Sequence, residues 1–248
     1  MYQPRFYRSW INDHDLVSFS VTSRETDLYI RAASDLETEA LSATRKCRSR
    51  LEEYISTHPE FLYALAPISV DENAPPIVRE MANAAKRVGV GPMAAVAGTI
   101  AERVGKELLR FSEEIIVENG GDIFIKTSKE RSISIYAGKS RLTGTLAILI
   151  QPEDTPLGIC TSSGSVGHSL SFGNADAVTV ISRSTTLADA AATAIGNLIK
   201  STDDIPVAID FAQGIQGIRG VSIIKGDQIG LWGKIELVPL KSRNFLLS

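Results

Sequence analysis

The sequence predicts an α+β fold of antiparallel sheets with helices packed against them. Three observations lead there. Runs of alternating apolar and polar residues come in pairs separated by tight, glycine-bearing turns, which favours antiparallel neighbours. Amphipathic stretches are gathered between those pairs, whereas a parallel βαβ sheet would alternate them with single strands. The 248 residues are 44% apolar and 22% charged, the balance of a globular chain with ample core.

Leu16 to Thr22 sets Val17, Phe19 and Val21 against polar neighbours as a half-buried strand, and Asp27 to Ala32 is placed to pair with it. A helix follows. Ser34 and Glu37 have capping-box spacing, and Leu36, Ala40, Leu41, Cys47, Leu51, Tyr54 and Ile55 form an apolar stripe, with Pro59 marking a stop. Pro75-Pro76 opens a second helix with Ile77, Met81, Ala85 and Val88 on one face and Gly89 as its cap. Residues 93–110 read as a third helix, whose Ala94, Ala95, Ala97 and Gly98 permit close contact with a sheet or ligand. Strands are expected at Ile115–Glu118, Ile123–Lys126, Ile133–Tyr136, Thr145–Gln151 and Ala177–Ile181. A small-residue helix over Thr186–Lys200 precedes short strands at Val207–Phe211, Val221–Ile224, Ile229–Trp232 and Ile235–Val238. No linker, low-complexity tract or short repeat divides the chain, so residues 1–248 are expected to form one domain.

A net charge of −3 argues against nucleic acid as the main partner. Cys47 and Cys160 give no disulfide framework, so reduced thiols are expected. No window approaches the roughly 20 apolar residues of a membrane span. The first fifteen residues carry charges of both signs and no apolar signal core, so a cytoplasmic protein is expected. Within them, Tyr2 to Trp10 interleaves aromatics with arginines. Such an arm suits packing on the sheet, or on a second subunit of a homodimer, more simply than nucleotide stacking.

Several chemical cues converge only between Leu157 and Asn197. Asp189 and Thr193 are four apart, so on a helix their oxygens share one face. A carboxylate and a hydroxyl suit Mg²⁺, which takes one or two protein ligands and leaves the rest to phosphate and water. The ordinary reading is a helix start, with Thr186 as N-cap and Asp189 favoured by the helix dipole. The loop Thr161-Ser162-Ser163-Gly164-Ser165-Val166-Gly167 offers hydroxyls and free amides for an anion, but lacks a P-loop's lysine and spacing; a solvated surface loop is the simpler reading. His168 beside it is a candidate acid or base, or a structural histidine, and three scattered histidines make no zinc pattern. Glu118-Asn119-Gly120-Gly121-Asp122 reads first as a hairpin turn; as a ligand element, its glycines would admit a close approach and Asp122 would meet a sugar hydroxyl or base edge.

In this order, Asn119-Gly120-Gly121-Asp122-Ile123, Thr161-Ser162-Ser163-Gly164 and Ala188-Asp189-Ala190-Ala191-Ala192-Thr193-Ala194 resemble the ApbE-like superfamily, best known for Mg²⁺-dependent FAD:protein FMN transferases. The motifs cover the central and C-terminal half; the remainder agrees by element order, as in a shorter branch of the superfamily. The resemblance implies an ApbE-like fold of two T-fold-like halves. It implies Mg²⁺ on Asp189 and Thr193 beside the pyrophosphate of FAD, with Gly120, Gly121, Asp122, Thr161, Ser162, Ser163 and Gly164 lining the flavin nucleotide site. The family reaction moves FMN from FAD onto a threonine of an acceptor protein and releases AMP. Three features depart from the family, one being that many of its members are exported whereas no signal peptide is expected here. Its Lys-Gly pair is Ala97-Gly98 here, and its His…Asp-Pro…Thr-Gly segment is replaced by residues 167–176, where His168 would stand in as the catalytic residue. Two functions therefore follow: an Mg²⁺-dependent FAD-binding protein that transfers FMN or cleaves the FAD pyrophosphate, or a binding or scaffold protein that has lost the chemistry.

Overall fold

The computed structural model describes residues 15–164 and 172–240. Strands β1 (Val17–Ser23) and β2 (Thr26–Ala32) form an antiparallel hairpin, with Phe19 opposite Ile30 and Val21 opposite Leu28. The long helix α1 (Glu37–Thr57) follows, with Leu36, Ala40 and Leu51 buried. Its expected capping box does not form: Leu36 holds the cap position, and the Asp35 carboxylate accepts from the Glu37 N–H at 3.0 Å. Glu37 is thus the first helical residue and cannot reach back as an N3 partner would.

A one-turn helix, α2 (Glu60–Tyr63), drops Phe61 into the core and leads to α3 (Pro76–Val88), closed by left-handed Gly89 at φ +78°. The stretch expected as one helix over 93–110 is in two parts, a 3₁₀ turn at Pro92–Ala95 and then α4 (Val96–Leu108). Strands β3 (Ile115–Asn119) and β4 (Asp122–Lys126) are joined by Gly120 and Gly121, both at positive φ (68° and 108°), as a type I′ hairpin turn requires. The Glu118 carboxylate accepts from the Gly121 N–H at 2.8 Å and fixes that turn.

Strands β5 (Arg131–Ser134) and β6 (Leu146–Ile150) belong to a separate three-stranded sheet, completed by β11 (Leu237–Pro239). The main sheet resumes with β7 (Leu157–Ser162) and β8 (Ala177–Ser182), then α5 (Thr185–Leu198), α6 (Ile205–Gln213), β9 (Ile218–Lys225) and β10 (Gln228–Gly233). Its eight strands run β1-β2-β3-β4-β7-β8-β9-β10, every neighbour antiparallel. The order hairpin, helices, hairpin occurs twice, once in β1–β4 with α1–α4 and once in β7–β10 with α5 and α6. This is the antiparallel α+β architecture expected from the sequence, in two matching halves.

The sheet has an apolar core on each face. Val117, Phe124, Cys160, Val180 and Val221 face the helices, while Ile116, Ile125, Ile159, Ile181 and Ile224 face the small sheet. Three expectations change. Val207–Phe211 lies in α6, not in a strand, with Ile205, Ala208 and Ala212 buried at helical spacing and Pro206 in the first turn. Thr161 and Ser162 belong to β7, not to a loop. Helix α5 is capped by Ser184, whose hydroxyl accepts from the Leu187 N–H at 3.2 Å, so Thr186 is inside the helix and Asp189 lies beyond its first turn. The Tyr2–Trp10 arm lies outside the described residues. Both cysteines are free thiols, Cys160 buried and Cys47 half-buried, and no described helix is long and apolar enough to cross a membrane.

Two predictions follow from this packing. Phe124 is fully buried where Gly105 of α4 leaves room; a Cβ on Gly105 would lie 2.1 Å from its ring. Phe124→Ala is expected to lower unfolding free energy by about 3–5 kcal/mol in urea titration. On the opposite side of the sheet, Glu114 opposes a desolvation penalty with hydrogen bonds from Ser128 (2.5 Å), Thr127 (2.7 Å) and Arg131 (2.9 Å), which hold its carboxyl down at about 2. Because the folded value is below the unfolded 4.5, this stabilisation is complete above that pH and lost as pH falls toward 2. Glu114→Gln is expected to flatten the acid limb of the stability profile in that window; an unchanged limb would contradict the assignment.

Candidate functional site

The site forms where the ends of β3, β4 and β7 meet α4 and α5 on the helical face of the sheet. Alternation along the strands sends Asn119, Asp122, Cys160 and Ser162 to that face, together with the helix-facing Val117 and Phe124. Asp122 and Cys160 are direct cross-strand partners. From above, α5 brings Asp189 onto the same group, in a helix so rich in alanine that it packs closely on β7 and α4.

Helices α4 and α5 meet closely at the site. The Gly98 N–H donates to Asp189 Oδ2 at 2.8 Å, and the Ala97 N–H also bonds this carboxylate. A Cβ on Gly98 would lie 2.7 Å from Asp189 Cβ and 2.7 Å from the Thr185 carbonyl oxygen, so only glycine fits there. Asn119 Nδ2 donates to the Ala97 carbonyl at 3.0 Å and ties the β3 end to the same turn of α4. Glu102, one turn further along α4, accepts from the Thr186 N–H at 3.0 Å and its hydroxyl at 3.3 Å. Neither Asn119 nor Glu102 stood out in the sequence as a site residue. Asn119 was legible as a turn residue and as part of the Asn119–Ile123 motif, with no role of its own, and nothing distinguishes Glu102 from other helical acids.

Asp122 and Asp189 are both buried. Burial first, then the charge of Asp122, pushes the Asp189 carboxyl well above the ordinary range, against the Gly98 and Ala97 amides that favour the ion. Burial also dominates at Asp122, with the charge of Glu118 adding to it and the Cys160 thiol and Thr161 N–H opposing it. The Cys160 thiol lies 3.4 Å from the Thr185 carbonyl, and burial raises it far above an ordinary cysteine. It is therefore a buried donor, not a nucleophile.

The residues singled out in the sequence do not all enter this arrangement. Thr193 is half-buried one turn beyond Asp189 on α5. Ser162 approaches the same helix, its Oγ 3.6 Å from where a Cβ on Gly196 would be. Gly120, exposed, and Gly121, half-buried, form the hairpin turn beside Asp122, and Gly121 faces the Thr161 carbonyl. The Thr161 hydroxyl points away, to the other face of the sheet, where it bonds Thr179 at 2.9 Å; only its backbone reaches the site. Ser163 is half-buried after β7, and Gly164 donates to the Ala175 carbonyl at 2.9 Å, its α-carbon packed on the Gly173 backbone. His168 lies outside the described residues. A groove of about 1270 Å³ over α1, α3 and α4 reaches Glu102 but none of Asp122, Asp189 or Thr193, so it is separate from this cluster.

Comparison with known proteins agrees with the fold. Residues 8–217 match a family described as AbpE bacteria. A UPF0280 protein of Methanosarcina acetivorans is 41% identical, over 86% of this chain and 85% of that protein. Another, from Methanocaldococcus jannaschii, is 46% identical over 80% and 83% respectively. Among solved structures, the apo flavinyl transferase ApbE of Pseudomonas stutzeri superposes with a TM-score of 0.57 at 14% identity, covering 88% of this chain and 94% of that one. The ApbE protein of Thermotoga maritima gives 0.58 at 15% identity, over 87% and 96%. These two likenesses establish a shared fold. The family match and the UPF0280 relatives establish membership: the chain belongs to the AbpE bacteria family.

Proposed function

We propose that this protein binds FAD with Mg²⁺ at the α4–α5 junction and acts as a flavin transferase, moving FMN to an acceptor protein or cleaving the FAD pyrophosphate. The observation that carries the reading is the pair of buried carboxylates, Asp122 and Asp189. Both are desolvated, they repel each other, and among the described residues neither has a cationic side-chain partner. Two such groups in one apolar pocket are unfavourable unless a cation or protons compensate them. Hard oxygen donors suit a hard cation, and Mg²⁺ needs only one or two protein ligands. A carboxylate and a hydroxyl one turn apart on α5 are such donors, and Asp189 and Thr193 are proposed as its protein ligands.

When bound, Mg²⁺ supplies charge neutralisation at a pyrophosphate. The chain's own residues would do the rest. The Gly98 and Ala97 amides hold Asp189 with one carboxylate oxygen committed to α4. Gly120 and Gly121 leave the hairpin tip free of side chains, so a nucleotide can approach the backbone beside Asp122. Ser162, Ser163 and Gly164 offer hydroxyls and an edge on the other side. His168 is the group proposed to move a proton. The ApbE names of the structural neighbours support the flavin assignment. A second reading, binding without turnover, is favoured by one residue: Ala97 puts a methyl group where the family's Lys-Gly pair would place a cation near phosphate.

FAD titration with and without Mg²⁺, followed by assay for AMP and FMN, separates these readings. Mg²⁺-dependent binding with AMP release is expected, abolished in Asp189→Ala and weakened at least about tenfold in Thr193→Val, a scale typical of disturbed metal sites. Binding without AMP would favour the second reading, and no flavin binding would overturn both. A second prediction concerns the metal-free protein. Asp122 is raised from 3.8 to about 7, so the folded state binds its proton more tightly than the unfolded chain does. Its contribution to stability is therefore unfavourable, negligible below 3.8, growing as pH rises and complete above 7. Asp122→Asn without metal is expected to unfold at higher urea than wild type at pH 8, with the gain shrinking steadily toward pH 4. An equal gain at both pH values would contradict the charge argument.

A further inference from the structure

Glu102 is buried on α4, an uncommon place for a glutamate unless its charge is compensated. Its Oε1 meets Lys106 Nζ at 2.6 Å, but Lys106 is largely exposed, and such surface pairs contribute little. Its Oε2 is better accounted for. It accepts from the Thr186 N–H at 3.0 Å, the Thr186 hydroxyl at 3.3 Å and the Ser184 hydroxyl at 3.5 Å, all at the start of α5. The first amides of a helix have no partner within it, and a negative charge there is favoured by the helix dipole. Glu102 thus caps α5 from another helix, next to the cap that Ser184 gives Leu187.

The placement of this second cap matters for Asp189. Gly98 and Glu102 are one turn apart on α4, while Thr186 and Asp189 are one turn apart on α5. The bonds Gly98–Asp189 and Glu102–Thr186 are therefore two parallel ties between the same two helices. With α5 already packed on β7, β8 and α3, the tie at Gly98 holds the helix at Asp189 and the tie at Glu102 holds its N-terminal turn. With the second tie, the azimuth of α5 is set, and with it the direction in which Asp189 and Thr193 point. We propose that Glu102 is a positioning residue for the cation site: it touches neither cation nor nucleotide and acts by locking α5 against α4. This rests on the reading that Asp189 holds a divalent cation.

Mn²⁺ is the probe, since the spectrum of the free ion measures bound fraction directly by electron paramagnetic resonance, in the folded protein without FAD or turnover. Glu102→Ala removes the tie from α4. Thr186→Pro removes the same amide and hydroxyl donors from α5, in the first turn, where the N–H has no partner within the helix. Glu102→Gln keeps an acceptor oxygen. Both tie-breaking variants are expected to bind Mn²⁺ about 10- to 100-fold more weakly, while Glu102→Gln stays within about threefold of wild type. A purely stabilising role would lower the melting temperature of either variant and leave Mn²⁺ affinity unchanged in the folded fraction; that result would overturn the proposal while leaving Asp189 as a ligand. Wild type without Mn²⁺ binding, or Asp189→Ala binding as well as wild type, would instead remove the cation site and this inference with it.

Discussion

Helices α4 and α5 touch backbone to side chain at Gly98, where the absence of a Cβ lets Asp189 come within 2.8 Å of a main-chain amide. Most of the molecule's arrangement follows from that close approach. A larger residue at position 98 would separate the helices, and Asp189 would lose the donors that make its burial tolerable. The same small-residue logic continues on the sheet side, where Gly158 lies under Thr185 and Gly105 admits the ring of Phe124. Helices this close to each other and to the strands bring Asn119, Asp122 and Cys160 within reach of a helix that follows them in sequence by up to seventy residues. The two halves of the fold, each hairpin–helices–hairpin, thereby contribute opposite walls of one cluster.

Electrostatics gives this geometry its functional meaning. A protein selected only for stability would neutralise a buried carboxylate with a lysine or arginine, as happens elsewhere in this chain where buried Glu114 pairs with the Arg131 guanidinium. The junction of α4 and α5 does the reverse. It gathers two desolvated carboxylates and satisfies one of them with neutral amides alone. Such an arrangement favours the protonated carboxyls unless a cation takes the protons' place, which is why the pair supports a ligand site more strongly than the motif spacing does.

The sequence made the hairpins legible because their determinants are local. Asn119-Gly120 with a second glycine specifies a positive-φ turn, and Pro75-Pro76 with Gly89 brackets a helix regardless of what packs on it. The antiparallel sheet followed from those turns. What was not legible depends on tertiary context. Val207–Phe211 alternates like a strand over five residues, too short a window for the period to decide, although Pro206 at a helix start was a usable signal. Thr161 and Ser162 were read as loop from their composition, whereas β4 and β8 on either side make them strand. Strand alternation then divides the two residues between opposite faces. Ser184 in place of Thr186 as cap removed the ordinary account of Asp189 as a first-turn acid, which no spacing argument had shown. The roles of Asn119 and Glu102 are long-range contacts between elements, invisible in a local pattern.

A crystal structure of the protein with FAD and Mn²⁺ tests the central claim most directly, because anomalous scattering locates the ion without assumptions about the surrounding residues. The account predicts an anomalous peak bound by the Asp189 carboxylate and the Thr193 hydroxyl, with the flavin pyrophosphate on its far side and the Gly120-Gly121 turn against the nucleotide. A peak absent from the α4–α5 junction, or FAD seated in the groove over α1, α3 and α4, would contradict it.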